Sequence, residues 1–153
     1  MDTSKIEQIP IVKAIGLQVL HLHQAIYERT DGRIGHNVLG TPCLLLRTTG
    51  ARSGVTRTSG LVYAKDGADY LVVASYGGAP KAPGWYHNLL AEPEVEIQVG
   101  TARHRATARP VVPGDTEYER LWDLVNKGNG DRYRGYQRAT TRPIPVVALT
   151  PVS

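Results

Sequence analysis

The chain has 153 residues, of which 41% are hydrophobic and 21% charged. That fits one soluble domain long enough to bury a core without a disulfide staple. Its single cysteine, Cys43, excludes an internal disulfide, no spacing of Cys or His suits a zinc site, and a formal charge of +4 points to an anionic partner.

The first residues, Met1–Glu7, mix charges before any apolar stretch, unlike a secretory signal. The apolar segment that follows is interrupted by Lys13, Gln18, His21, His23 and Gln24, which excludes a membrane-spanning helix. A cytoplasmic address is expected. Ile11, Ile15, Val19, Leu22 and Ile26 recur every three or four positions, so an N-terminal amphipathic helix is expected over 6–30, stopped by Asp31-Gly32. Strands are expected at 43–48, 56–65 and 70–75, the last two joined by a hairpin at Asp66-Gly67. A short helix at 85–91 ends before Pro93. Strands at 94–99 and 102–112 follow, then an amphipathic helix from about Asp115 to Gly128, a helical turn at 131–138 and a closing strand at 144–149.

Strands joined mainly by hairpins form an antiparallel sheet, and closing into a barrel removes its exposed edges. The expected fold is therefore one domain over 1–153, mainly β with flanking helices. No strand–helix–strand alternation and no G-x-G-x-x-G after a strand support a Rossmann fold.

Charge is unevenly spread. Arg47, Arg52, Arg57 and Lys65 occupy 43–65 with no acidic neighbour, and Lys127, Arg132, Arg134, Arg138 and Arg142 face Asp131 alone over 127–142. Two such stretches suggest one phosphate- or carboxylate-rich ligand, with nucleic acid as the alternative. Nucleic acid is disfavoured because Tyr63 is the only aromatic residue interleaved with the first stretch.

Three segments could carry chemistry. In Arg47–Arg57, glycines permit a tight turn close to a ligand, and Arg52, Ser53 and Arg57 add donors suited to an anion. A solvated hairpin would carry the same residues. In Ala74–Asn88, a strand ending in Ser75 meets a Gly-Gly turn and a Trp-Tyr-x-Asn helix start, polar donors beside flat apolar surface. Trp85 would equally serve as core. Tyr133 and Tyr136 share one face of a helix, where they line a pocket or simply decorate the surface. The histidines lack a nucleophile or acid at a recognisable spacing, and there is no hydrolase elbow, P-loop or carboxylate pair. A catalyst so poor in reactive groups would leave the chemistry to a cofactor.

These segments resemble the deazaflavin-dependent nitroreductase family of actinobacteria, the group of F420H2-dependent quinone reductases. The resemblance rests on Thr48-Thr49-Gly50-x-Arg52-Ser53-Gly54-x-x-Arg57 and Ala74-Ser75-x-Gly77-Gly78-Ala79-x-Lys81-x-Pro83-x-Trp85-Tyr86-x-Asn88-Leu89. It continues through Tyr133-x-x-Tyr136-Gln137 and Arg142-x-Ile144-Pro145, so it runs from about Tyr27 to Leu149. It implies a split β-barrel like the FMN-binding barrels, coenzyme F420 as cofactor, a small organic acceptor, and an N-terminal helix that touches membrane in some relatives. It also implies cofactor contacts from Ala51, Arg52, Ser53, Arg57, Thr58, Ser59, Gly60, Leu61, Val62, Val73, Ala74, Ser75, Tyr76, Gly84, Trp85, Tyr86, His87, Asn88 and Tyr133. Tyr133, Tyr136 and Ser75 are the implied catalytic groups, and no metal is involved. Quinones, nitro compounds and activated enones or lactones are the implied acceptors. A non-enzymatic F420 carrier and an FMN oxidoreductase are the alternatives. The chain departs from the best-known nitroreductase branch at Tyr76, where that branch has lysine, and at Val62 and Gly130, where it has aromatic residues.

Overall fold

Short apolar runs set the strands, and their two-residue period decides which face each residue serves. The computed structural model of the chain describes residues 37–38 and 41–152; the helix expected over 6–30 lies outside them. Eight strands are present among the described residues: β1 (Asn37–Val38), β2 (Thr41–Thr49), β3 (Thr56–Val62), β4 (Ala64–Asp66), β5 (Asp69–Val73), β6 (Glu94–Val99), β7 (Ala102–Val111) and β8 (Val146–Pro151). Helix α1 (Gly84–Ala91) precedes β6, and α2 (Tyr118–Lys127) and α3 (Arg132–Arg138) lie between β7 and β8. All pairings are antiparallel, in the order β1-β2-β6-β7-β8-β5-β4, with β3 on the free side of β2.

The sheet is curled, of split-barrel type, and one bent strand links its two ends. The strand expected over 56–65 breaks at Tyr63: β3 pairs with β2 as far as Val62, and β4 pairs with β5 from Ala64. Tyr63 marks the change of partner, donating its N–H to the Pro42 carbonyl at 3.1 Å and setting its ring edge-on to Tyr70 at 5.2 Å. Beyond this bend β3 and β5 part, and among the described residues β3 keeps β2 as its sole strand partner.

Leu44, Leu46, Val72, Ala74, Val95, Ile97, Ala106, Ala108, Val147 and Leu149 fill the concave side, which Trp85 and Leu89 of α1 close. On the convex side α2 and α3 lay Tyr118, Leu121, Trp122, Val125 and Tyr133 on Leu71, Val73, Val146 and Ala148. β5 and β8 are thus buried on both faces, which explains unbroken runs such as Val146-Val147-Ala148-Leu149. Each fully buried leucine or valine here contributes roughly 1.5–3 kcal/mol. Tyr118 donates its hydroxyl proton to the Ile144 carbonyl at 2.6 Å, and Arg120 holds Asp66 through a fork of 2.9 and 3.1 Å, fixing α2 to the β4–β5 hairpin.

Several expected boundaries move: the strand expected at 43–48 runs from Thr41 to Thr49, and the closing strand expected at 144–149 runs from Val146 to Pro151. The strand expected to reach Ser75 ends at Val73, because Ala74 donates to the Pro145 carbonyl at 3.1 Å and the chain then enters a 3-10 turn at Tyr76–Gly78. The helix expected from Asp115 starts at Tyr118, because the Asp115 carboxylate accepts the Val112 N–H at 2.8 Å and so closes a turn first.

Candidate active site

The basic loop between β2 and β3 is folded on itself and tied to α1. Gly50 donates to the Val55 carbonyl at 2.8 Å and Gly54 to the Gly50 carbonyl at 2.9 Å. A side chain at Gly50 would meet Ser53 Oγ at 2.6 Å and the Val55 carbonyl at 3.0 Å, so the loop requires glycine there. Ser53 Oγ accepts the Val55 N–H at 3.2 Å. Asn88 bridges outward from α1: its Oδ1 accepts the Ala51 N–H at 3.0 Å, and its Nδ2 donates to Thr48 Oγ1 at 3.2 Å.

This fixes a loop whose cations are unevenly spent. Arg47 points to the convex face and is bound to Glu96 at 3.3 Å and Gln98 at 2.8 Å. Arg52 and Arg57 are exposed and meet no carboxylate among the described residues. Among the described residues both guanidiniums are left open to an external anion.

The strand period divides the expected β3 contacts. Arg57, Ser59 and Leu61 stand opposite Thr48, Leu46 and Leu44, on the concave side, whereas Thr58, Gly60 and Val62 stand opposite Arg47, Leu45 and Cys43. Leu61 and Tyr86 pack against the concave cluster that holds Ala74 and Trp85, and Val62 packs with Cys43 and Leu45 on the other face. His87 is exposed, its ring 6.2 Å from that of Tyr86. Gly84 opens α1 and is exposed beside Trp85.

Ser75 is 7% exposed, and its hydroxyl has no hydrogen-bond partner among the described residues. Tyr76, by contrast, is 51% exposed and has φ +44°, a left-handed conformation unusual for a residue with a side chain. The surrounding bonds enforce it: Gly78 donates to the Ser75 carbonyl at 2.9 Å and Ala79 to the Tyr76 carbonyl at 3.1 Å. Gly78, at φ +81°, lies so close to α3 that a Cβ would come within 2.7 Å of the Tyr136 carbonyl.

Tyr133 and Val73 belong to the convex cluster beneath α2 and α3, not to the group around Trp85. The Tyr133 ring lies 6.4 Å from Trp122 and 6.3 Å from Tyr136. Burial first, and Tyr136 second, push the Tyr133 phenol up to about 12. Burial likewise raises Tyr86, against the opposing pull of the Arg142 charge.

Two arginines of the second basic stretch already have partners within the fold. Arg134 is bound to Asp123 and Asp131. Arg142 turns inward onto backbone carbonyls of the Ala74–Ala79 segment. Gln137 and Arg142 stand out in the sequence through the family resemblance and the basic stretch, but their grip on the Ala74–Ala79 segment is set by the fold.

The donor set fits a planar heteroaromatic carrying an anionic tail. Arg52 and Arg57 suit phosphate or carboxylate, Leu61, Ala74 and Trp85 offer apolar surface, and Ser75 offers a free hydroxyl beside it. A sequence profile of the F420H(2)-dependent quinone reductase family matches residues 19–151. The chain belongs to that family. An F420H(2)-dependent quinone reductase of Mycobacterium tuberculosis is 58% identical over 137 residues, covering 89% of this chain and 92% of the relative. A solved F420-H2 dependent reductase is 38% identical with a TM-score of 0.63, covering 71% of this chain and 93% of that one. The heme storage protein of Vibrio cholerae, 18% identical with a TM-score of 0.55 over 72% of this chain and 82% of that one, shares the fold alone.

Proposed function

We propose that this F420-dependent oxidoreductase holds coenzyme F420 between β3 and the β5–α1 segment, and that its acceptor is a quinone. The observation that carries the placement is the pair of unspent guanidiniums, Arg52 and Arg57, on a loop that Asn88 ties to α1. Family membership supports the cofactor and the acceptor class.

The reduced deazaflavin supplies a hydride, since it carries carbon where flavin has N5 and so transfers electrons in pairs. The chain itself orients and binds. Arg52, Ser53 and Arg57 meet the phosphate and glutamate carboxylates of the tail through charge-assisted hydrogen bonds. Leu61, Ala74 and Trp85 exclude water along one side, and Ser75 donates to a ring or acceptor oxygen. A phenol at about 12 surrenders its proton only to a strong base, so Tyr133 acts as a packed neutral group, and the proton for the reduced quinone comes from solvent.

Titration of the purified protein with oxidised F420, followed by fluorescence with FMN in parallel and salt varied, tests the binding site. Saturable micromolar binding that weakens with salt is expected, followed by oxidation of reduced F420 when a soluble naphthoquinone is added. Binding of FMN in place of F420 would move the protein to flavin chemistry. Tight F420 binding with no turnover on quinones would make it a carrier.

A further inference from the structure

Arg142 is the most heavily committed cation in the described part of the molecule, and all of its side-chain bonds go to one turn. Its Nη1 donates to the Ala74 carbonyl at 3.1 Å, and its Nη2 to the carbonyls of Ser75 at 2.9 Å and Ala79 at 3.2 Å; its Nε also reaches Ala79 at 3.2 Å. No carboxylate shares it among the described residues. Gln137 anchors it from behind, donating to the Arg142 carbonyl at 2.9 Å and accepting the Ile144 N–H at 2.9 Å. A guanidinium is suited to this because its planar fork fixes several acceptors at once, which an ammonium does not.

The grip falls on both sides of the group that faces the ligand. Peptide units are planar and trans, so a carbonyl drawn to Arg142 sends the following N–H the opposite way. The bonds to Ala74 and Ser75 thereby orient Ser75, a residue 7% exposed whose hydroxyl makes no hydrogen bond among the described residues, and add to the local bonds that hold Tyr76 in its left-handed conformation. Removing the fork would loosen the turn, since its remaining backbone bonds are the Ala74 N–H to the Pro145 carbonyl and the local ones within Ser75–Ala79.

We propose that Arg142 is a positioning residue, acting on the bound deazaflavin and on the acceptor through Ser75 and the Ala74–Ala79 turn. It supplies orientation, and its uncompensated charge adds to the attraction that Arg52 and Arg57 exert on an anionic cofactor. This rests on the cofactor placement proposed above.

The test begins with uniformly 15N-labelled native protein and oxidised F420. Fluorescence first establishes saturation; if F420 does not bind, the cofactor placement fails and this inference falls with it. With F420 bound, the Ser75, Tyr76 and Gly77 amide resonances and the Arg142 Nε resonance are expected to shift together. A soluble naphthoquinone added alone, and then to the complex, tells whether the cofactor or the acceptor moves them. Saturation by F420 and quinone with all four resonances unmoved overturns the proposal. The variants R142K and R142Q follow, with thermal melting as the check on folding. Folded R142K is expected to bind F420 about tenfold more weakly and to lose more in kcat than it gains in KM for the quinone. A purely structural role would lower the melting temperature and leave folded R142K within twofold of the parent in Kd and kcat, which would overturn the proposal.

Discussion

Beneath α2 and α3, Tyr118 and Tyr133 are both pushed up to about 12 by burial, Tyr118 spends its hydroxyl on Ile144, and Arg134 is matched by two aspartates. Around the β2–β3 loop and the Ser75 turn, Arg52, Arg57 and the Ser75 hydroxyl make no ion pair or side-chain hydrogen bond among the described residues. The two regions belong to one sheet and share β5. The strongly raised phenols thus lie in a packed layer, while the open donors lie where the cofactor is proposed to bind.

The largest effect that would sharpen this contrast is W122A. Trp122 is 8% exposed and stacked 5.6 Å from Tyr118. Its removal is expected to cost about 3–5 kcal/mol in denaturant unfolding. The folded fraction should nevertheless bind F420 with unchanged affinity. A loss of affinity per folded molecule would break the separation between the regions.

Alkaline titration comes next. With the folded Tyr133 phenol near 12 and its ordinary value at 10.0, the unfolded chain loses its proton first. The stabilisation is therefore complete below pH 10 and is lost as pH rises from 10 through 12. The two-unit shift sets an upper limit of about 2–3 kcal/mol at 1.36 kcal/mol per unit. Unfolding of Y133F followed between pH 9 and 12 should show a shallower fall than the parent, and equal slopes would remove Tyr133 from the account.

On the open side, R52A and R57A should each weaken F420 about tenfold, roughly 1.4 kcal/mol, without lowering the melting temperature. The salt dependence of binding should flatten in each variant, and unchanged affinity in both would mean the tail lies elsewhere. The smallest effect is expected for S75A. One neutral hydrogen bond contributes about 0.5–1 kcal/mol, so a few-fold loss in kcat/KM for the quinone at an unchanged melting temperature is the outcome to measure.

Much of this was legible in the residues themselves. Apolar runs and turn glycines place β2, β5, β6, β7 and β8 and all three described helices to within a few residues, because local periodicity and turn chemistry dictate them. The Gly50–Arg57 and Ala74–Asn88 segments stand out by composition, and the family resemblance joins them. Periodicity does not show that the strand over 56–65 changes partner at Tyr63, since pairing is decided by contacts distant in sequence. Nor does it distinguish one arginine from another. Arg47, Arg52, Arg134 and Arg142 read alike as basic residues, and only the fold sets Arg47 against Glu96, Arg134 between two aspartates and Arg142 on three carbonyls, leaving Arg52 open. The sequence by itself determined the elements, the family and the list of polar groups. The tertiary structure decided which groups are already satisfied, because hydrogen-bond and ion-pair capacity is consumed by partners that folding brings together from far along the chain.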